Sequence, residues 1–209
     1  VMPEVGFAPV VDNVVLKKNY IDNFKTESFD LIAGVTLDEY KLWSAFHPLY
    51  KNLSKENLIK RLSKIFKHSV GDIIELYSDY IDDNNYGNLL SSIMTDLTFG
   101  SPVEDLLKKN KSSYGYIFTP QSPLLNGELG AFHASELPYL FGVQNNSVYK
   151  KWSPDYRDQT AKIMQDSWIN FAKNGDPSTN HFKWKRFSNS SNYALIGDSI
   201  KNINSPFKE

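Results

Sequence analysis

The 209-residue sequence contains no cysteine. That excludes a disulfide framework, a zinc-thiolate centre, iron–sulfur ligation and a cysteine nucleophile, and it leaves the compartment open, because a chain without thiols suits either redox environment. There is no excess of charge of either sign: 23 Lys and Arg stand against 24 Asp and Glu, a net charge of −1. Such a balance gives no field to attract nucleic-acid phosphates or an anionic bilayer, so no nucleic-acid partner is expected. Nor is there a run of about 20 apolar residues that could span a membrane. The opening Val-Met-Pro-Glu-Val-Gly-Phe lacks the basic start and apolar stretch of a signal peptide and reads as the middle of a longer protein.

Glycine is also sparse and badly spaced for several motifs. None of the 11 glycines lies two or four residues from another and none precedes a lysine, which removes the GxGxxG fingerprint, the P-loop and the GxSxG nucleophile elbow from this chain. The four histidines, His47, His68, His133 and His181, are far apart, so HExxH is missing and no metal or organic cofactor is indicated.

What the sequence does have is a 41% hydrophobic content with 14% aromatics, enough for one substantial core and too much for a disordered chain. Residues 29–35, Phe-Asp-Leu-Ile-Ala-Gly-Val, form a short apolar run of the kind buried on both faces in a parallel sheet. Two adjacent carboxylates, Asp38 and Glu39, follow at its carboxyl end, where open α/β sheets collect their chemistry. On position alone they also suit a solvated acidic turn.

Residues 53–110 read as three or four helices. Ser54 is an N-cap, and Leu53 with Leu58 has the spacing of a hydrophobic staple ahead of an apolar stripe at Leu58, Leu62, Ile65 and Phe66. Leu89, Leu90, Ile93, Met94 and Leu97 mark another helix, and Ser101-Pro102-Val103-Glu104 reads as a capping-box start. These stripes are assigned to packing.

Tyr114 to Thr119 is a second strand, followed by a turn-rich loop over 121–130 and then His133, which on its own could be a surface, structural or catalytic residue. Glu136 to Gly142 is apolar enough to pack that loop down. Ser153-Pro154 opens a long helix carrying Met164, Ser167, Trp168 and Phe171 on one face and stopping at Asn174-Gly175. The last thirty residues form a short hairpin, with Tyr193 to Ile196 as a strand and Gly197-Asp198 as its turn.

Four segments, in order, resemble parts of the C-terminal half of a type-B carboxylesterase, the α/β-hydrolase family that includes para-nitrobenzyl esterases and cholinesterases. They are Phe7-Ala8-Pro9-Val10-Val11-Asp12, the run from Leu31 to Glu39, the segment from Gly130 to Gly142, and the stretch from Trp168 to Pro177. The resemblance implies an α/β class, with residues 1–209 as a single partial domain: the later strands of the sheet plus a helical insert at about 53–110. It makes Glu39 the acid and His133 the general base of a Ser-Glu-His triad, in the acid-then-His order of that fold. It also places the nucleophilic serine and the oxyanion loop upstream of this chain. The implied function is carboxylic ester hydrolysis through an acyl-enzyme without a cofactor, this chain being inactive alone. Its implied partners are a small ester substrate and the N-terminal half of the same enzyme, and the open sheet edge would favour self-association.

Ser44 and Ser135 lie near the two residues in sequence but on no nucleophile elbow. Two departures from the family pattern stand out: Tyr40 follows the acid, and Asn13 follows Asp12, where glycine is usual. The alternatives are a catalytically inactive esterase-like binding or adhesion module and an unrelated helical interaction domain.

Overall fold

The computed structural model of the chain describes residues 10–16, 29–67, 69–77, 85–143, 146–152, 158–187 and 191–206. Four strands form one sheet in the order β1 (Leu31–Thr36), β2 (Ser113–Phe118), β3 (Asn192–Ile196) and β4 (Ile200–Asn204). The first three are parallel and β3 pairs antiparallel with β4. The expected hairpin is therefore present, and the short apolar run over 29–35 is a strand beginning two residues later. Because β1 and β2 are parallel and in register from Leu31 with Ser113 to Thr36 with Phe118, they end side by side. Whatever follows each strand therefore emerges at the same edge.

Alternation along β2 builds two layers. Tyr114 and Phe118 face a core with Tyr139, Met164 and Trp184, while Ile117 faces a second with Val35, Leu107, Phe187 and Tyr193. This is the period of two that a strand buried on both faces requires.

Helices follow β1 directly: α1 (Lys41–Ser44), α2 (Pro48–Lys51), α3 (Lys55–Ile65), α4 (Val70–Leu76) and α5 (Tyr86–Thr95). Ser54 caps α3 by accepting the Asn57 N–H at 3.2 Å. Leu53, Leu58 and Leu62 are buried as their spacing predicts, but Ile65 remains partly exposed at 38%. Burying each leucine contributes about 1.5–3 kcal/mol, and with Tyr40, Leu89, Leu90, Ile93 and Met94 they form a third core that belongs to the helices themselves.

The expected capping-box start at Ser101 is not a start. A π-helical turn, Asp96–Gly100, carries α5 straight into α6 (Ser101–Lys109), and the Ser101 N–H is already bonded to the Asp96 carbonyl. With no orphan N–H to satisfy, Glu104 turns elsewhere. Its carboxylate accepts the Ser205 hydroxyl at 2.7 Å and pairs with Lys108 at 3.1 Å. The segment expected to pack the loop after His133 does so as a helix, α7 (Leu137–Phe141).

The long helix α8 (Asp158–Asn174) presents Ala161, Met164, Trp168 and Phe171 to the sheet, and buried Ser167 accepts the Trp184 ring N–H at 3.2 Å. It ends as expected at Gly175, whose φ of 69° is left-handed and whose N–H reaches back to the Phe171 carbonyl. The expected start at Ser153-Pro154 and part of the Phe7–Asp12 stretch lie outside the described residues. Among the described residues no helix is long and apolar enough to cross a membrane.

Candidate active site

The turn after β1 and the loop after β2 meet at the carboxyl ends of the strands, and the two adjacent carboxylates do different work there. Asp38 joins the backbones. Its N–H donates to the Ala131 carbonyl, and its Oδ2 accepts the Ala131 N–H, each at 2.9 Å. Its Oδ1 holds Lys41 at 2.9 Å. Gly130 makes this approach possible: it sits at φ 57°, and a Cβ there would lie 2.2 Å from Asp38 Oδ2. Any side chain at position 130 would collide with the clamp as well as strain the backbone.

Two residues beyond the clamp, His133 Nδ1 lies 2.6 Å from Glu39 Oε2. The other Glu39 oxygen accepts the buried Thr36 N–H at 2.8 Å, so the carboxylate is fixed at both ends. Ala134, next to the histidine, has a left-handed φ of 66°, which is costly for a residue with a Cβ. Two aromatic rings flank the imidazole. Trp43 from α1 and Phe99 from the π turn each lie 5.2 Å from its centre and stack on one another at 5.9 Å. The side chain of Glu39 is 7% exposed and that of His133 42%. Nε2 has no hydrogen-bond partner among the described residues, which leaves it open to accept a proton.

The hydrogen bond to Glu39 raises the His133 pKa above its ordinary value of 6.5, against the opposing pull of burial. Glu136, one turn on, is pushed up to about 7, first by burial and then by the neighbouring Glu39 charge. Its Oε2 is buried without a partner. Sequence reasoning missed Glu136, Thr36 and Phe99 as parts of this site, and it placed Asp38 at the strand's end without foreseeing the clamp it forms. Glu136 alone carried a signal, as the carboxylate heading an otherwise apolar run.

Tyr40 does not disturb the turn. Its φ of −73° is right-handed, and its N–H donates to Thr95 Oγ1 at 3.0 Å. Asn13 does adopt the left-handed φ, 61°, beside Asp12, whose Oδ1 accepts the N–H groups of Val14, Val15 and Leu16. Of the two serines near the site in sequence, Ser44 is buried and bonded to Ser91 Oγ at 2.9 Å. Ser135 is buried with an unbonded hydroxyl.

Residues 2–209 match the model of the carboxylesterase family. The chain belongs to that family. It is 25% identical to the phenmedipham hydrolase of Pseudarthrobacter oxydans, over 83% of this chain and 36% of that protein. It is 29% identical to the para-nitrobenzyl esterase of Bacillus subtilis, over 94% of this chain and 40% of the relative. A Geobacillus stearothermophilus carboxylesterase superposes with a TM-score of 0.82 at 24% identity, over 96% of this chain and 44% of that one. The α/β-hydrolase class is thereby shown, and the chain corresponds to less than half the length of these carboxylesterase relatives.

Replacing Glu39 by Gln keeps an acceptor but removes the charge, leaving burial to dominate. The His133 titration midpoint, followed by NMR of the ring protons, should fall to 6.5 or below. An unchanged midpoint would show that the Glu39 contact does not hold in solution.

For Glu136 the sign runs the other way from a salt-bridged carboxylate. A folded pKa near 7 above an ordinary 4.5 means the native state binds the proton more tightly, so stability falls as pH rises through that window. Glu136→Gln should therefore flatten the stability profile between those values and leave the variant the more stable form above neutrality, as read from urea midpoints. A profile as steep as the parent's would place the titration elsewhere.

Proposed function

We propose that this chain supplies the acid and the general base of a serine carboxylic ester hydrolase. The nucleophilic serine and the oxyanion donors come from a segment outside the chain. The observation that carries the reading is the 2.6 Å contact of Glu39 with His133 Nδ1, with the second carboxylate oxygen fixed by the Thr36 N–H.

In this arrangement Glu39 holds the proton on Nδ1, so that Nε2 carries the lone pair facing outward. Nε2 takes the serine proton as the hydroxyl attacks the ester carbonyl, and the buried carboxylate stabilises the imidazolium that forms. His133 then gives that proton to the departing alcohol, and the same nitrogen activates water to release the acid. The raised pKa implies that the base is competent only once the pH has passed its elevated midpoint. The native-state stabilisation from the same contact has the opposite dependence: it is present below 6.5 and is lost as pH rises through that midpoint.

A fluorophosphonate probe tests the division of roles. The chain alone should take no label, whereas the chain joined to the serine-bearing segment should be labelled on that serine. Glu39→Gln should lower ester hydrolysis by about 10⁴-fold and His133→Gln by about 10⁶-fold, as loss of the corresponding triad members does elsewhere. Label on Ser44 or Ser135, or hydrolysis surviving His133→Gln within about tenfold, would overturn the assignment.

The outside segment also has a place to dock. Strand β1 pairs with β2 on one side only, at the end of the described sheet, and an unpaired parallel strand offers its N–H and C=O groups to another chain. Produced alone, the chain should self-associate in sedimentation velocity and return to a single species when the missing segment is supplied. A cooperatively folding monomer of the isolated chain would contradict this.

A further inference from the structure

A cavity of about 550 Å³ lies between α3 and the helices that follow Glu39. One wall is apolar and aromatic, from Tyr40, Trp43, Tyr50, Leu90 and Met94. The opposite wall is a single face of α3: Asn57, Lys60, Arg61 and Lys64 recur at the spacing that brings helix residues into line. Leu58 and Leu62 of the same helix turn into the core.

Among the described residues no carboxylate lines the cavity, and none pairs with Lys60, Arg61 or Lys64. The chain as a whole carries a net charge of −1, so this group of cations is not the local expression of a basic protein. Three cations side by side at an aromatic hollow set up a local positive field that favours an anion, and a cavity of this size accommodates a small organic molecule. Trp43 belongs to this wall and also lies against His133 at 5.2 Å, which makes the cavity a neighbour of the proton-handling pair.

We infer that the cavity receives the anionic end of an ester whose body is apolar, the carboxylate meeting Lys60, Arg61 and Lys64 while the hydrocarbon lies on Tyr40 and Trp43. Calling the bound molecule a substrate rests on the esterase reading; the anion site itself does not. Charge-assisted hydrogen bonds are stronger than neutral ones, so binding remote from the reacting carbonyl would select charged esters over uncharged ones.

The test compares phenylbutyrate with its uncharged amide by isothermal titration calorimetry on the full chain, beside the variant carrying Lys60→Gln, Arg61→Gln and Lys64→Gln. The carboxylate should bind about tenfold more tightly than the amide. That preference should fall to about twofold in the variant, and likewise in the parent chain at about 0.5 M salt. Equal affinities, binding of neither compound, or a preference that survives both the substitutions and the salt would overturn the site. Binding is read without turnover. A charge preference in a chain that hydrolyses no ester when joined to the serine-bearing segment supports the anion site and removes the esterase reading, whereas hydrolysis without charge preference does the reverse.

Discussion

The reciprocal pairing of Asp38 with Ala131 is the constraint on which the site depends. Parallel pairing of β1 with β2 brings the two strand ends within reach, but it fixes neither the path of the chain beyond them nor the height at which the histidine arrives. Two backbone-directed bonds from one residue do that. They set the loop two residues before His133, and Glu39, next to Asp38, then needs only its own side-chain torsions to reach the ring. An imidazole and a carboxylate separated by 94 positions meet because neighbouring residues in each segment are already joined.

A buried carboxylate is not placed there to hold the protein together. Desolvating Glu39 costs several kcal/mol, and a half-exposed histidine returns only part of it, so the pair is weak evidence for stability. Its value is orientation: the Thr36 amide on one oxygen and the imidazole on the other leave the carboxylate no second geometry. Trp43 and Phe99, stacked on one another, pack against the ring at tilted angles and restrict it further. Glu136 is the counterpart. Buried, close enough to feel the Glu39 charge and without a partner for one oxygen, it holds its proton up to about pH 7. That is well above the ordinary carboxylate range, because burial and the neighbouring Glu39 disfavour its charge.

The strands, the Ser54 cap and the Gly175 stop were legible because each depends on residues within a few positions of one another. Ser101 misled for the same reason. Its Ser-Pro-Val-Glu pattern is a good local start, yet the preceding residues had already committed the backbone to a helical path, and Glu104 found Ser205 more than a hundred residues away. Tyr40 departs from the glycine usual after the acid, but the turn places it in the right-handed region, where a side chain carries no penalty and the ring enters the helical core. The pairing of Glu39 with His133 came from family resemblance, since neither residue had a local signature strong enough to choose among its alternatives. The clamp by Asp38 was invisible in sequence because its partner is a backbone group in another segment.

The same distribution of bonds decides what another segment would have to contribute. Glu39, its anchoring Thr36 amide, His133, the Asp38 clamp and the neighbouring aromatics all come from the described residues, which therefore suffice to position the pair. On the proposed reading, another segment must add a hydroxyl at Nε2 and donors for a developing oxyanion, both of which require rigid placement to be effective. A flexible tether would not provide that, whereas a strand docked against β1 would, because hydrogen-bonded register fixes its end relative to β1 as firmly as the existing register fixes β2. On the proposed reading the open edge and the free Nε2 are linked consequences of one geometry: the sheet that aligns Glu39 with His133 is also the surface best able to align a nucleophile with both.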